Sequence, residues 1–184
     1  MSTAARAAFF FIVSLGAAQE PGAILAPPPD SAHPATGPVR FIGRGAGPLK
    51  LDGAAVATQS PHEAVQTAKL KSLKPGVHTL EFEGQSLRFS LGPAEKFLAF
   101  KPHPPANRCE TCHAVRNGKW RFQRVSLSSV CSQCHAKDAF QAKHTHEMAV
   151  LTDCQLCHNP HGSTATSHLK LARDAACKQC HALQ

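Results

Sequence analysis

Apolar and polar residues alternate through the middle of the chain, and the alternation is lost toward its end. In Val77–Glu83 (VHTLEFE), Leu80 and Phe82 fall on one face and Glu81 and Glu83 on the other. In Ser86–Leu91 (SLRFSL), Leu87, Phe89 and Leu91 point the same way. A period of two is that of a strand with one buried face. Gly84-Gln85 between the two runs predicts a two-residue hairpin turn, fed by a turn at Lys74-Pro75-Gly76. Val39–Ile42 and Leu49–Asp52 predict shorter strands. Ser60-Pro61-His62-Glu63 has capping-box spacing with Pro at the first helical position, which predicts a short helix after it. Residues 39–100 therefore read as a small all-β module. Before it, residues 19–38 hold six prolines and read as a linker or extended strap.

Within the module, Leu73–Gly84 (LKPGVHTLEFEG) resembles small β-sandwich modules of exported proteins, such as PEGA-like repeats. The resemblance implies docking or spacing rather than chemistry, with His62 and His78 as ordinary strand or surface residues. Residues 1–18 read as an export signal. Arg6 gives the positive start, Ala7–Gly16 the short apolar run, and Gly16-Ala17-Ala18 the small residues before a cut. The alternative is a membrane anchor, but the run falls short of the ~20 residues that span a bilayer, and no second apolar stretch follows. Export implies a periplasmic or extracellular protein in an oxidising compartment, where four disulfides would be the default for eight cysteines.

Spacing argues for something else. All eight cysteines lie in residues 101–184, a stretch too poor in large aliphatics to build a core alone. They form four identical frames: Cys109-Glu110-Thr111-Cys112-His113, Cys131-Ser132-Gln133-Cys134-His135, Cys154-Gln155-Leu156-Cys157-His158 and Cys177-Lys178-Gln179-Cys180-His181. Each is C-x-x-C-H, the attachment signature of c-type haem. Two thiols add to the porphyrin vinyl groups, and the adjacent imidazole ligates the iron. Zinc bound by paired C-x-x-C units is the alternative, and disulfides within each unit another, but neither requires a histidine after every second cysteine. The frames begin 22, 23 and 23 residues apart, an internal repeat. Each is expected on a short helical turn, as Leu127–Cys134 and Leu171–Cys180 suggest.

This segment resembles multihaem c-type cytochromes with doubled CXXCH motifs. The resemblance is best defined over Cys154–Ser163 (CQLCHNPHGS), Leu169 and Cys177–His181, and it departs at the first frame, where Ala-Val-Arg follows His113 and nothing matches His161. It implies four covalently attached haems c and an irregular, mostly short-helical, haem-packed multihaem cytochrome domain following the β module. Four second axial ligands are then needed. His161 matches the family's distal position. His103 and His146 precede their frames by six and eight residues, as the family's upstream histidines do. His144 is the substitute for the ligand missing from the first pair, with His168 in reserve as a surface residue of a short helix. Met148 is a minor alternative ligand, and Trp120 is placed to pack on a porphyrin.

Charge fits this picture. The chain carries a net charge of +8, which invites a nucleic-acid reading. However, residues 101–184 hold 11 basic and 5 acidic residues against 8 and 7 in residues 19–100. The excess thus lies where haem propionates would offset it, with Arg116, Lys119, Arg121 and Arg124 as candidate partners. The expectation is an exported electron carrier, not an enzyme and not a nucleic-acid binder, passing electrons along a row of bis-histidine haems. Its partners would be redox proteins, neighbouring copies of itself or a membrane complex, with no membrane span after signal cleavage. A subunit of a polymeric cytochrome filament and a reductase with one open haem are the alternatives.

Overall fold

The structure is a computed structural model that describes residues 22–104, 108–124, 126–135 and 146–181. The export signal, His144 and the start of the strap lie outside the described residues. Ten strands build residues 22–100: β1 (Ala23–Ala26), β2 (Ser31–His33), β3 (Val39–Arg44), β4 (Leu49–Leu51), β5 (Ala54–Val56), β6 (Gln59–His62), β7 (Val65–Leu70), β8 (Gly76–Phe82), β9 (Gln85–Leu91) and β10 (Leu98–Ala99). They form a four-stranded sheet, β1-β3-β7-β6, and a six-stranded sheet, β10-β2-β9-β8-β4-β5.

One core joins the two sheets. Val39, Phe41 and Leu70 come from the first, and Leu49, Leu80, Phe82, Phe89 and Leu91 from the second. Phe41 meets Phe82 edge to face at 5.1 Å. The inward set of β8 and β9 is the one that the alternation predicts: Leu80, Phe82 and Phe89 are fully buried. Each such side chain contributes about 2 kcal/mol of transfer free energy.

Three local expectations are corrected. The hairpin turn is Glu83-Gly84, not Gly84-Gln85, because Phe82 pairs with Gln85. Glu83 and Gly84 both take positive φ (51° and 73°), the geometry of a type I′ turn. Gln85 is also occupied elsewhere: its side chain accepts from Ile24 N (3.0 Å) and donates to Gly22 O (3.2 Å). The helix after Ser60 is absent. Pro61 lies in edge strand β6, where a missing N–H is tolerated, and Val65–Leu70 pairs residue by residue with β3. Nor are residues 19–38 simply a strap. β1 pairs antiparallel with β3 and β2 pairs parallel with β9. Pro27–Pro29, Pro34 and Pro38 fall between strands, where they interrupt no ladder.

Beyond residue 100 the regular elements are short. They are the hairpin β11 (His113–Arg116) and β12 (Lys119–Phe122), and the helices α1 (Leu127–Cys131), α2 (Met148–Thr152) and α3 (Arg173–Lys178). Three 3-10 turns, Cys109–Thr111, Cys154–Leu156 and Thr166–His168, complete them. Among the described residues here, Val130 is the one buried large aliphatic. No described helix is long and apolar enough to cross a membrane.

Candidate haem-binding site

Each C-x-x-C-H frame sits on a helical turn, and three close it in the same way. His135 N donates to Cys131 O, His158 N to Cys154 O and His181 N to Cys177 O, each at 3.0 Å. These i-to-i+4 bonds put both thiols and the imidazole of a frame on one turn. Ser126 begins the second turn with a reciprocal capping box to Ser129. The first frame differs. Its 3-10 turn ends at Thr111, and His113 enters strand β11 opposite Phe122. His113 is packed by Phe122 (5.4 Å) and Trp120 (5.3 Å). Trp120 thus lies against the imidazole of the first frame. No disulfide joins any two of the eight cysteines.

Imidazoles from separate parts of the sequence face these frames. His161 lies 6.5 Å from His113 with ring planes 15° apart, His103 lies 5.9 Å from His135, and His146 lies 5.9 Å from His181. His161 lies beside the first frame, and His144, expected to supply the ligand missing from the first pair, falls outside the described residues. His168, expected at the surface, is instead drawn inward. Its ring is 5.1 Å from His103, and its Nδ1 is buried without a hydrogen-bond partner. Positive φ at Ser167 and His168 (54° and 53°) turns the chain back over the third frame. There His158 Nδ1 donates to Ser167 O at 2.7 Å, which fixes the tautomer and leaves Nε2 as the ring's metal-binding atom, as the carbonyl partner of a metal-bound histidine does.

The CHNPHGS segment is braced against the β module. His161 N donates to Asn159 Oδ1 (3.0 Å), and Asn159 Nδ2 donates to Leu25 O of β1 (3.3 Å). Lys101 and Ser163 exchange backbone bonds of 2.8 and 3.0 Å. Gly162 has φ +118°, and a Cβ there would lie 2.5 Å from Phe100 Cζ and 2.8 Å from Lys101 O. Only glycine fits that seam. Ser163 is buried and donates to Leu169 O.

Burial governs the ionisation of the site. It lowers the pKa of His113, His103 and His168, in the latter two with help from neighbouring histidine charges. His161 falls to about 4, through burial first and then the charges of His113, Arg40 and His103. These imidazoles stay neutral at pH 7, the form that binds a metal. Burial also raises Cys112, with Cys134 and Cys109 nearby, and raises Cys131 to about 11, with Cys154 and then Cys112 adding to it. Thiols of the first three frames therefore converge.

The donor set fits haem. A metal bonded at ~2 Å to two facing imidazole nitrogens holds the ring centres roughly 6 Å apart, the spacing of the three pairs. The orphaned His168 Nδ1 and the exposed Val115, Phe122, Val150, Leu156 and Leu171 surround the frames, apolar surface that a porphyrin would cover. Among the described residues no three Cys, His, Asp or Glu converge as a zinc cluster requires. Arg116, Lys119, Arg121 and Arg124 line one groove on the β11–β12 hairpin, with Lys119 paired to Glu63.

Comparison with known proteins agrees. The doubled CXXCH motif family matches residues 146–184. Over 80 residues the chain is 35% identical to "Multiheme cytochrome MtrA" of Shewanella baltica (strain OS185), a match covering 40% of this chain. It spans 24%, about a quarter, of that relative's length. No solved structure matches. The doubled motif indicates covalently bound haem c, and the similarity is to a multihaem c-type cytochrome. Arg40, Phe100, Lys101 and Gly162 were not legible as parts of the site. Their signal is tertiary, apart from the glycine that follows His161.

Proposed function

We propose that this chain is an exported carrier holding four haems c, each tied by one C-x-x-C-H frame, and that it passes electrons between redox partners without catalysing a reaction. Bound haem iron supplies reversible one-electron exchange. The carrying observation is the set of three facing imidazole pairs, His113–His161, His103–His135 and His146–His181. Each pair would supply two imidazole nitrogens to one haem iron, which would then be saturated and suited to electron transfer. His144 and His168 are left for His158. Trp120 and Phe122 pack against the His113 imidazole, and the arginines of the β11–β12 hairpin would offset propionate charge. Convergence of the first three frames supports short distances between cofactors, which rapid electron transfer needs. Export to the periplasm or beyond is part of the proposal, because it places the thiols where haem is attached to such frames.

Mass spectrometry of the secreted protein tests the count, with four porphyrin additions expected. Electron paramagnetic resonance tests ligation, with low-spin ferric signals only. Carbon monoxide should leave the spectrum of the reduced protein unchanged. Fewer than four additions, or a carbon monoxide adduct in the unmodified chain, overturns the proposal.

A further inference from the structure

Arg40 belongs to the β module, yet its side chain reaches the first frame. Val39 and Phe41, its neighbours in β3, are buried in the sandwich core. Strand alternation turns Arg40 to the opposite face of the β1-β3-β7-β6 sheet. There its Nη1 donates to Cys109 Sγ at 2.6 Å. The same sheet is held to the later segment by the Asn159–Leu25 bond and the Lys119–Glu63 pair. A half-buried guanidinium, charged at any working pH, is thereby fixed beside a thiol of the first frame.

We propose that Arg40 is a positioning residue of the first-frame haem, holding the reduction potential of that haem above the value set by the 101–184 segment alone. The inference rests on the haem reading above. Taking up one electron lowers the charge of the site by one unit with no bond made or broken, and a fixed cation nearby favours the reduced state. The β module then does more than dock: it supplies part of the electrostatic environment of one cofactor.

A spectroelectrochemical titration of the full haem-loaded chain tests this, comparing Arg40→Gln, Arg40→Lys and Arg88→Gln. Arg88 lies on the other sheet, paired with Asp30, and controls for net charge. We expect Arg40→Gln to lower one resolved transition by about tenfold in its reduction equilibrium, ~59 mV for one electron. Arg40→Lys should move the same transition by less than a third of that, and Arg88→Gln should leave it in place. Equal shifts in the Gln and Lys variants, or no shift of a single transition in Arg40→Gln, overturn the role of the charge. If Arg40→Gln does not fold, an unshifted Arg40→Lys transition supports the proposal, and one lowered as far as tenfold overturns it. Absence of porphyrin mass in the unmodified chain defeats the haem reading itself, a result distinct from unshifted potentials in a fully loaded variant.

Discussion

In residues 22–100, Phe41, Leu80, Phe82 and Phe89 are completely or almost completely withdrawn from water. After residue 100, Val130 is the one buried large aliphatic among the described residues, while Val115 and Leu156 stand 63% and 48% exposed. The first region closes two sheets over its own side chains. The second is one short hairpin and a series of helical turns of three to six residues, and elements that short are marginal in water without tertiary packing. The contrast assigns different sources of order to the two regions: burial of side chains in one, and burial against the proposed cofactors in the other.

The largest expected effect follows directly. In chain produced without attached haem, amides of β3, β7, β8 and β9 should stay protected from hydrogen exchange, while those of residues 109–181 should exchange at rates near those of an unfolded peptide. Loaded chain should protect both. Strong protection of the frames in porphyrin-free chain would remove the distinction between the regions.

Next in size is Phe89→Ala. Phe89 is fully buried and packs against the rings of His33 (5.9 Å) and His78 (5.5 Å). Deleting it should cost ~3–5 kcal/mol. Urea unfolding followed by the strand signal in the far ultraviolet reads this cost. A cost below ~1 kcal/mol would mean that the sandwich core is not the main source of stability there.

What was legible in the sequence follows the same division. Strands β3, β4, β8 and β9 could be read because one face of each is buried and a period of two results. β1 (AILA) and β2 (SAH) escaped because neither alternates large apolar with polar residues and prolines follow both. The helix after Ser60 was misread because a capping signal is local, whereas the six-residue ladder to β3 that defines β7 is not. In the later segment the C-x-x-C-H spacing alone singles out the thiols and the adjacent imidazoles as candidates. The pairing of His161 with His113 was not accessible, since it depends on how the CHNPHGS turn is braced on β1 and on Phe100. His168 was misjudged for the same reason: nothing local indicates that its ring is turned in toward His103.

Acid sharpens the comparison from the side of the β module. His33 is stacked on Phe100 at 4.5 Å, and burial lowers its pKa to about 4. The Ser31 hydroxyl donates to Pro28 O, so its oxygen accepts from His33 Nε2 at 3.0 Å, which suits a neutral ring. Between the ordinary histidine value and about 4, the unfolded chain binds the proton and the folded one does not. Stability from this site is therefore present above about pH 6.5 and is lost as pH falls toward 4, on the order of 2 kcal/mol in all. His33→Gln should flatten the acid limb of a stability-versus-pH curve measured by urea unfolding. An unchanged limb would assign acid sensitivity to other groups.

The smallest effect has the opposite sign and comes from the same module. His78 Nδ1 lies 2.7 Å from Asp52 Oδ2 and Nε2 lies 2.8 Å from Lys74 O; both partners accept, so both ring nitrogens donate and the ring is an imidazolium. Burial pulls the His78 pKa down, but the bonds and charge of Asp52 and Lys74 O outweigh it and the net shift is upward. Asp52 moves the other way. Desolvation raises it, but the bonds from His78 and Thr79 N bring its pKa below the usual carboxylate value. The contribution of the pair is complete below the ordinary histidine value, and it is lost as pH rises through the raised pKa of His78. At the acid end it disappears again once Asp52 protonates. With Asp52 half exposed, the contribution is a few tenths of a kcal/mol up to ~1 kcal/mol. Asp52→Asn should thus lower module stability at pH 6 and leave it nearly unchanged at pH 9, whereas His33→Gln alters only the acid limb. Equal losses at pH 6 and pH 9 would show that Asp52 acts through its bond to Thr79 N, and that the imidazolium clamp adds nothing to the sandwich.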